Sequence, residues 1–229
     1  MQSVDYRVIS IGTLAAHPLW DEKVEVRTGH ATTTLISGGG SHMLVNPSLP
    51  GQILEARLSE RTRIRAGQIT HVFMTTFALD HYRGLPLFRE ATWLVHEPER
   101  ASAGEALSDQ LERAREGKDA QLAGAISEHL SLLERCAVAP DRPVAGVDLF
   151  PLPGLSPGTC GLLLPLPSST VLICGDAVPT IEHLEQGKVL PTCIDVDQAQ
   201  QSFKEAIEIA DVLIPGRDNL CFNPVRPMM

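Results

Sequence analysis

A short polar segment, Thr75–Gly84, holds the residues best suited to chemistry, and it follows an apolar, strand-like run, Ile69–Met74. Asp80 and His81 are adjacent within this segment. Carboxylate and imidazole groups are both common metal ligands in proteins. Because an Asp–His pair also arises by chance, it indicates a site only if related features recur in order along the chain.

Related features do recur, each at the end of an apolar run or within a turn. They are Asn46 in the hairpin-like segment Thr34–Ser48, Leu155 after Pro153-Gly154, Asp176 after the run Thr170–Gly175, and Arg217 after Pro215-Gly216. Together with Thr76–His81, this series resembles the metallo-β-lactamase-fold hydrolases, whose signature reads His, any residue, His, any residue, Asp, His. Asn46 stands where the family usually has Asp. The resemblance extends from about residue 30 to residue 219.

The resemblance implies an α/β fold, a metallo-β-lactamase-like four-layer αββα sandwich, as a single domain over residues 1–229. It also implies a site for two metal ions, which lower the pKa of a bound water from ~15.7 to about 7. Three histidines hold the first ion in the family, and Thr76, Ala78 and Leu155 stand in their places. Since Ala and Leu cannot ligate and a neutral Thr hydroxyl is a poor zinc ligand, we expect no dinuclear centre.

The second metal position is partly retained. The resemblance assigns Asp80, His81 and Asp176 to it, with Arg217 where the last histidine belongs. In one interpretation a single divalent ion binds these three ligands, a set that suits Zn²⁺, Mn²⁺ or Fe²⁺. In the other, no metal or other cofactor binds, and Arg217 neutralises two acids that are costly to bury together. The metal-free interpretation is preferred, because an arginine stays protonated and repels a cation.

Two classes of function stay open. One is a degenerate, non-catalytic member of the family that binds a small molecule or a protein partner in a remodelled cleft. The other is a single-metal hydrolase, for which His183 is a candidate replacement ligand. Loops after strands converge at one edge of such a sandwich, so we expect a pocket formed by Thr76, Ala78, Asp80, His81, Leu155, Asp176 and Arg217. Ala78 and Leu155, with Phe77 and Leu79 beside them, should make this pocket suit an apolar ligand.

Composition narrows the class of partner. The 229 residues and the 43% apolar fraction fit one large domain with a core. A net charge of −9 argues against binding nucleic acid through its phosphates. We expect no membrane span, because no apolar run approaches the ~20 residues required. The N-terminus shows no basic segment leading into an apolar one, and the five cysteines match no disulfide framework, so we expect a cytoplasmic protein with free thiols.

Short apolar runs bounded by Gly and Pro predict the strands that position these residues. The predicted strands are Tyr6–Ile11, Thr32–Ile36, His42–Val45, His71–Thr75, Thr92–His96, Val147–Leu149, Gly161–Leu164, Thr170–Cys174 and a last one before Pro215. Gln52–Arg63 and Val196–Ala210 have helical spacing of apolar residues.

A charged, Ala- and Leu-rich stretch at about residues 97–137 has no strand signal and predicts a helical insertion. Its apolar stripe consists of Leu122, Ile126, Leu130 and Leu133. Two interpretations fit such a stripe. Either a helix pair packs on its own sheet, or the stripe forms a self-complementary contact in a homo-oligomer.

Overall fold

Two β-sheets packed face to face form the middle of the molecule in a computed structural model that describes residues 4–226. Residues 1–3 and 227–229 lie outside the described part. The first of these ranges is the start of the N-terminal segment in which the sequence shows no leader pattern. Within it, the first sheet contains, in spatial order, β1 (Asp5–Ser10), β2 (Thr33–Gly38), β3 (Ser41–Val45), β4 (His71–Met74), β5 (Thr92–Val95) and β6 (Ala137–Val138).

The second sheet has the spatial order β11-β10-β9-β8-β7, with β9 and β10 parallel and the other pairs antiparallel. Its strands are β7 (Asp148–Pro151), β8 (Cys160–Pro165), β9 (Thr170–Gly175), β10 (Val212–Pro215) and β11 (Cys221–Phe222). Among the described residues the α-helices are α1 (Gly51–Arg61), α2 (Leu79–Tyr82), α3 (Glu97–Glu116), α4 (Ala120–Arg135), α5 (Ile181–Gln186) and α6 (Val196–Ile209).

Strand β9 shows why the sheets need cover on both faces. Val171 and Ile173 point into the core between the two sheets, whereas Leu172 and Cys174 point to the outer face, where α5 and α6 pack. Side chains alternate between the faces of a strand, so a continuous apolar run predicts burial on both sides. The first sheet is covered on its outer face in the same way by α1, α3 and α4.

These packed layers form the expected four-layer αββα sandwich. Every predicted strand is present within two residues of its expected ends, and so are the helices predicted at Gln52–Arg63 and Val196–Ala210. The sequence did not predict β6, β11, α2 or α5, which are short elements of two to six residues. No helix within residues 4–226 is both long and apolar enough to cross a bilayer.

The stretch at 97–137 forms a helix pair, α3 and α4, joined by a short turn in which Asp119 accepts a hydrogen bond from Leu122 N at 2.9 Å. On α4, Ile126 and Leu133 are buried, and Leu133 belongs to the core that covers the first sheet. Leu122 is half exposed, near the turn between the two helices. The stripe therefore packs mainly within its own chain.

The carboxyl ends of strands β4, β9 and β10 meet at one edge of the sandwich, and each strand leads into a segment with polar residues. Cys160 N donates to Thr75 O at 2.9 Å, which ties the end of β4 to the second sheet. At Gly175 the backbone has φ of +55°, and a Cβ there would lie 2.6 Å from Thr75 Oγ1. A glycine is therefore required where the two sheet edges approach each other.

Candidate functional site

A cleft of about 600 Å³ lies at this edge of the sandwich. Its lining includes six of the seven residues expected in the pocket, Thr76, Ala78, Asp80, Leu155, Asp176 and Arg217. The loop that precedes β2 forms one wall with Leu14, Ala15, Ala16 and Pro18, and the segment after α5 contributes Leu190 and Pro191. A volume of this size is typical of small-molecule sites.

Arg217 joins the two carboxylates at the base of the cleft. Its Nε donates to Asp176 Oδ1 at 2.8 Å and its Nη2 donates to Asp176 Oδ2 at 2.6 Å, which is a bidentate pair. The third nitrogen, Nη1, donates to Asp80 Oδ2. The guanidinium is almost fully buried, and its hydrogen bonds all go to these two carboxylates.

Backbone contacts hold Arg217 in this position. Arg217 N donates to Pro179 O at 2.7 Å, and the flanking Gly216 donates to Val178 O and accepts from Thr32 N. A Cβ at Gly216 would lie 2.2 Å from Asp176 Oδ1. The glycine therefore lets the Pro–Gly turn pass directly beside the carboxylate that Arg217 binds.

The charges of the three groups stabilise one another. Burial alone would raise the pKa of Asp176, but the neighbouring Arg217 charge outweighs it and the pKa lies below its usual range. Burial acts in the same sense on Asp80, and its contacts with His81 and Arg217 hold its pKa well below the usual range. Burial would lower the pKa of Arg217, yet the two carboxylates raise it. All three groups are therefore ionised near neutral pH.

His81 differs from the expectation that it lines the pocket. It is fully buried, outside the cleft wall, and its Nδ1 lies 3.1 Å from Asp80 Oδ1. Its Nε2 lies 3.4 Å from Asp176 Oδ2, but the angles do not make a hydrogen bond. A hydrogen bond weakens steeply when misaligned, so this contact is weaker than the one with Asp80. The imidazole therefore orients Asp80 more firmly than Asp176.

Glu99 is a site residue that the sequence did not reveal. It lies in the first turn of α3, is 3% exposed, and accepts from Thr76 Oγ1 at 2.6 Å and from Phe77 N at 2.7 Å. Ser156 Oγ, on the cleft wall beside Leu155, donates to its other oxygen. The helical insertion thus ties down the segment that carries two of the replaced histidine positions.

His183 has a different role from that of a replacement ligand. It is fully buried and its Nδ1 lies 2.9 Å from Thr180 Oγ1, which also contacts His17 Nε2 at 3.3 Å. The ring of His17 stacks on that of Trp20 at a centroid distance of 4.1 Å. Burial lowers the pKa of His183 to about 4, so the imidazole is neutral at pH 7. His17, Thr180 and His183 are buried, whereas Trp20 is more than half exposed, and His17 directly precedes Pro18 of the cleft wall.

The residues present do not fit a dinuclear metal centre. Ala78 and Leu155 offer no donor atom, and the Thr76 hydroxyl is already bonded to Glu99. For a single ion, the guanidinium of Arg217 already holds both carboxylates. Within residues 4–226, no group of three or more His, Cys, Asp or Glu side chains is arranged to hold a metal ion.

The cleft wall is apolar as expected, but only two of the four expected residues, Ala78 and Leu155, line it. Phe77 is buried and stacks on Tyr82 at a centroid distance of 4.3 Å in the core, so it does not face the cleft. Leu79 lines an adjoining depression. The apolar surface comes from Ala78 and Leu155 together with the 14–18 segment and the 190–191 segment. The motif could not predict these two segments, because they lie far from it in the sequence.

The two packed sheets and the cleft at their strand ends define a four-layer αββα sandwich with a site at one edge. The family model of the metallo-β-lactamase superfamily matches residues 26–217, and the chain belongs to this superfamily. No curated protein matches the chain.

Several solved structures have the same fold. A Thermotoga maritima protein assigned as a metallo-β-lactamase is 19% identical, with a TM-score of 0.68 over 96% of this chain and 99% of that chain. AiiA from B. thuringiensis, solved as a variant with N-decanoyl-L-homoserine at its active site, is 16% identical, with a TM-score of 0.62 over 94% and 92%. AidC, a dizinc quorum-quenching lactonase, is also 16% identical, with a TM-score of 0.62 over 78% and 67%.

Proposed function

We propose that this chain is a metal-independent member of the superfamily that binds a small, largely apolar molecule in its cleft. The observation that carries the proposal is the guanidinium of Arg217, which donates three hydrogen bonds to Asp80 and Asp176. A divalent ion that takes both carboxylates must displace this buried cation. Displacement would leave an unpaired charge in the interior, which is a costly arrangement.

The apolar wall supports the binding part of the proposal. A ligand gains affinity from apolar surface removed from water, and a few polar groups fix its orientation. Here Leu14, Leu155 and Leu190 supply apolar surface, while Asp80 at the base and Ser156 on the wall offer polar contacts. Family members that hydrolyse substrates rely on metal-activated water, for which this cleft offers no matching ligand set.

The rival function is a single-metal hydrolase that uses Asp80, His81 and Asp176. One observation favours it: His81 Nε2 is buried without a hydrogen-bond partner among the described residues. Several relatives of similar fold are described as hydrolases or lactonases, as AidC is. In this function Arg217 must leave both carboxylates when the ion binds.

Elemental analysis separates the two functions. The chain is purified without a polyhistidine tag, equilibrated with Zn²⁺ or Mn²⁺ and dialysed, and its metal content is then measured by mass spectrometry. We expect much less than one ion per chain. About one ion per chain would favour the hydrolase and contradict the proposal.

The variant Arg217→His provides the positive control for this experiment. It restores an imidazole beside Asp80, His81 and Asp176, and it removes the competing cation. We expect it to retain clearly more Zn²⁺ than the unmodified chain under the same dialysis. Equal retention by the two proteins would show that Arg217 does not decide whether metal binds.

A further inference from the structure

The wall of the cleft carries a small network of hydroxyl groups built around one buried carboxylate, that of Glu99. One oxygen of Glu99 accepts from Thr76 Oγ1 at 2.6 Å and from Phe77 N at 2.7 Å. The other oxygen accepts from Ser156 Oγ. Glu99 also lies in the first turn of the 20-residue helix α3, where the helix dipole favours a negative charge. A carboxylate stabilised in this way has no proton of its own to donate.

This network fixes the direction in which the Ser156 hydroxyl points. A serine hydroxyl has one proton to donate and two lone pairs that accept. The proton of Ser156 goes to Glu99, so the contact of 2.7 Å between Ser156 Oγ and Thr159 Oγ1 uses the proton of Thr159. The backbone N of Ser156 donates in turn to Thr159 Oγ1 at 3.1 Å. One lone pair of Ser156 Oγ is therefore left for another donor.

Ser156 is the most exposed member of the network on the cleft wall. Thr76, Glu99 and Thr159 are 4%, 3% and 0% exposed. Ser156 is half-buried and lines the cleft. Its remaining lone pair is therefore the acceptor that the network presents to a ligand. Asp80, at the base, is ionised and has no proton to donate either.

On the basis of the proposed function, we propose that the ligand is a neutral molecule with an apolar body and one N–H or O–H group that donates to Ser156 Oγ. Leu14, Leu155 and Leu190 line the same cleft and would contact the apolar body. The ligand is neutral because Arg217 at the base opposes a cation, whereas the carboxylates beside it oppose an anion.

Glu99 is then a positioning residue for the ligand, since it acts through the Ser156 hydroxyl. A ligand that presents only a carbonyl or ether oxygen would set lone pair against lone pair at Ser156. It would also shield the Ser156 oxygen from water without bonding it, and an unmet polar group opposes binding. The cleft should therefore prefer an alcohol to the ketone of similar shape.

Cyclohexanol and cyclohexanone test this preference, because they share a six-membered ring and differ in whether the oxygen carries a proton. Each is titrated into the ¹⁵N-labelled chain at pH 7.5, and the shifts of the Leu155 and Ser156 amide signals give the two dissociation constants. We expect cyclohexanol to bind roughly three- to tenfold more tightly, the range expected for one hydrogen bond between neutral groups. Equal affinities, or tighter binding of cyclohexanone, overturn the inference.

Two variants separate the role of the hydroxyl from the general properties of the probes. Ser156→Ala removes the acceptor and should abolish most of the preference, and an unchanged preference overturns the inference. In Glu99→Gln the amide oxygen can keep both donors of the first carboxylate oxygen, and the amide nitrogen then donates to Ser156 Oγ. The serine proton is then free to face the cleft, so the preference should weaken or reverse.

The exposed hydroxyl of Ser131 on α4 provides the matched control. It donates to Ser127 O at 2.9 Å and does not line the cleft, so Ser131→Ala should keep the preference for cyclohexanol. A full preference in Glu99→Gln would show that the carboxylate does not orient the hydroxyl, and would overturn its positioning role. If Glu99→Gln does not fold, the comparison of Ser156→Ala with Ser131→Ala decides the inference.

The same titrations keep this inference separate from the proposed function. If neither probe shifts the signals of the cleft residues up to its solubility limit, the proposed binding function fails and the inference fails with it. If both probes bind with equal affinity, the proposed function stands and the inference alone is overturned.

Discussion

Replacing Arg217 by Ala should lower the free energy of unfolding by about 3–5 kcal/mol at neutral pH, the cost of removing one partner from a buried pair. The side chain is 6% exposed, and its hydrogen bonds all go to Asp80 and Asp176. Asp176 carries most of the cost because it is 4% exposed, whereas water can reach Asp80. The two charge-assisted bonds to Asp176 are each worth about 1.5–3 kcal/mol, and their sum of about 3–6 kcal/mol includes this range.

Urea unfolding, followed by circular dichroism, measures this cost. Arg142→Ala is the matched control, since Arg142 donates to Asp148 at 2.7 Å in an exposed pair. Exposed pairs contribute less than about 1 kcal/mol. Adding Asp176→Asn to Arg217→Ala should recover part of the loss, because it removes the stranded charge. A loss for Arg217→Ala no larger than that for Arg142→Ala would refute the reasoning.

The pH dependence of the loss gives an independent check. Arg217 holds the folded-state pKa of Asp176 below the unfolded value of about 3.9. A lowered pKa stabilises the fold at pH values above the pKa of the unfolded chain. This stabilisation is lost as the pH falls through the pKa of the folded state. Without Arg217, burial raises the pKa of Asp176, and protonation then removes the unpaired charge as the pH falls. The difference in the free energy of unfolding between the original protein and Arg217→Ala should therefore narrow from pH 7 to about pH 4.5.

Four further substitutions test the surroundings of the site. Gly216→Ala should destabilise the fold by at least about 1–3 kcal/mol, because its Cβ would lie 2.2 Å from a carboxylate oxygen. Gly124→Ala, in α4 with no atom within 4 Å, should instead stabilise it by about 0.5–1 kcal/mol, and thermal unfolding of both variants checks the contrast. Glu99→Gln should cost about 1–3 kcal/mol in urea, since an amide replaces one acceptor by a donor; an unchanged midpoint would contradict this. Because the pKa of His183 falls to about 4 on folding, stability should drop between pH 6.5 and 5 by up to roughly 1.4 kcal/mol per pH unit. His183→Gln should flatten that slope, and an equal slope in both proteins would exclude the role of His183.

Local patterns in the sequence were sufficient to predict the longer strands and helices of the fold, but not the short elements β6, β11, α2 and α5. In β9, Val171–Cys174 is apolar at every position, and a strand buried on both faces produces that pattern in any such sandwich. The strand-end residues could also be found, because each follows its strand directly in the chain. Asp176 and Arg217 therefore lie together as soon as β9 and β10 pair in parallel, and charge balance accounts for their contact.

Residues whose partners lie far along the chain could be placed only by the tertiary structure. Glu99 reaches Thr76 because α3 packs against the turn before β8, where a Cβ at Gly158 would lie 1.8 Å from Glu99 N. The periodicity of apolar residues in the sequence does not indicate that a helix and a turn approach each other so closely. The same holds for His81, which is buried 3.4 Å from Asp176 at the end of β9, and for the two-residue edge strands β6 and β11. Sequence patterns follow the period of a helix or strand, whereas these features depend on how the layers pack.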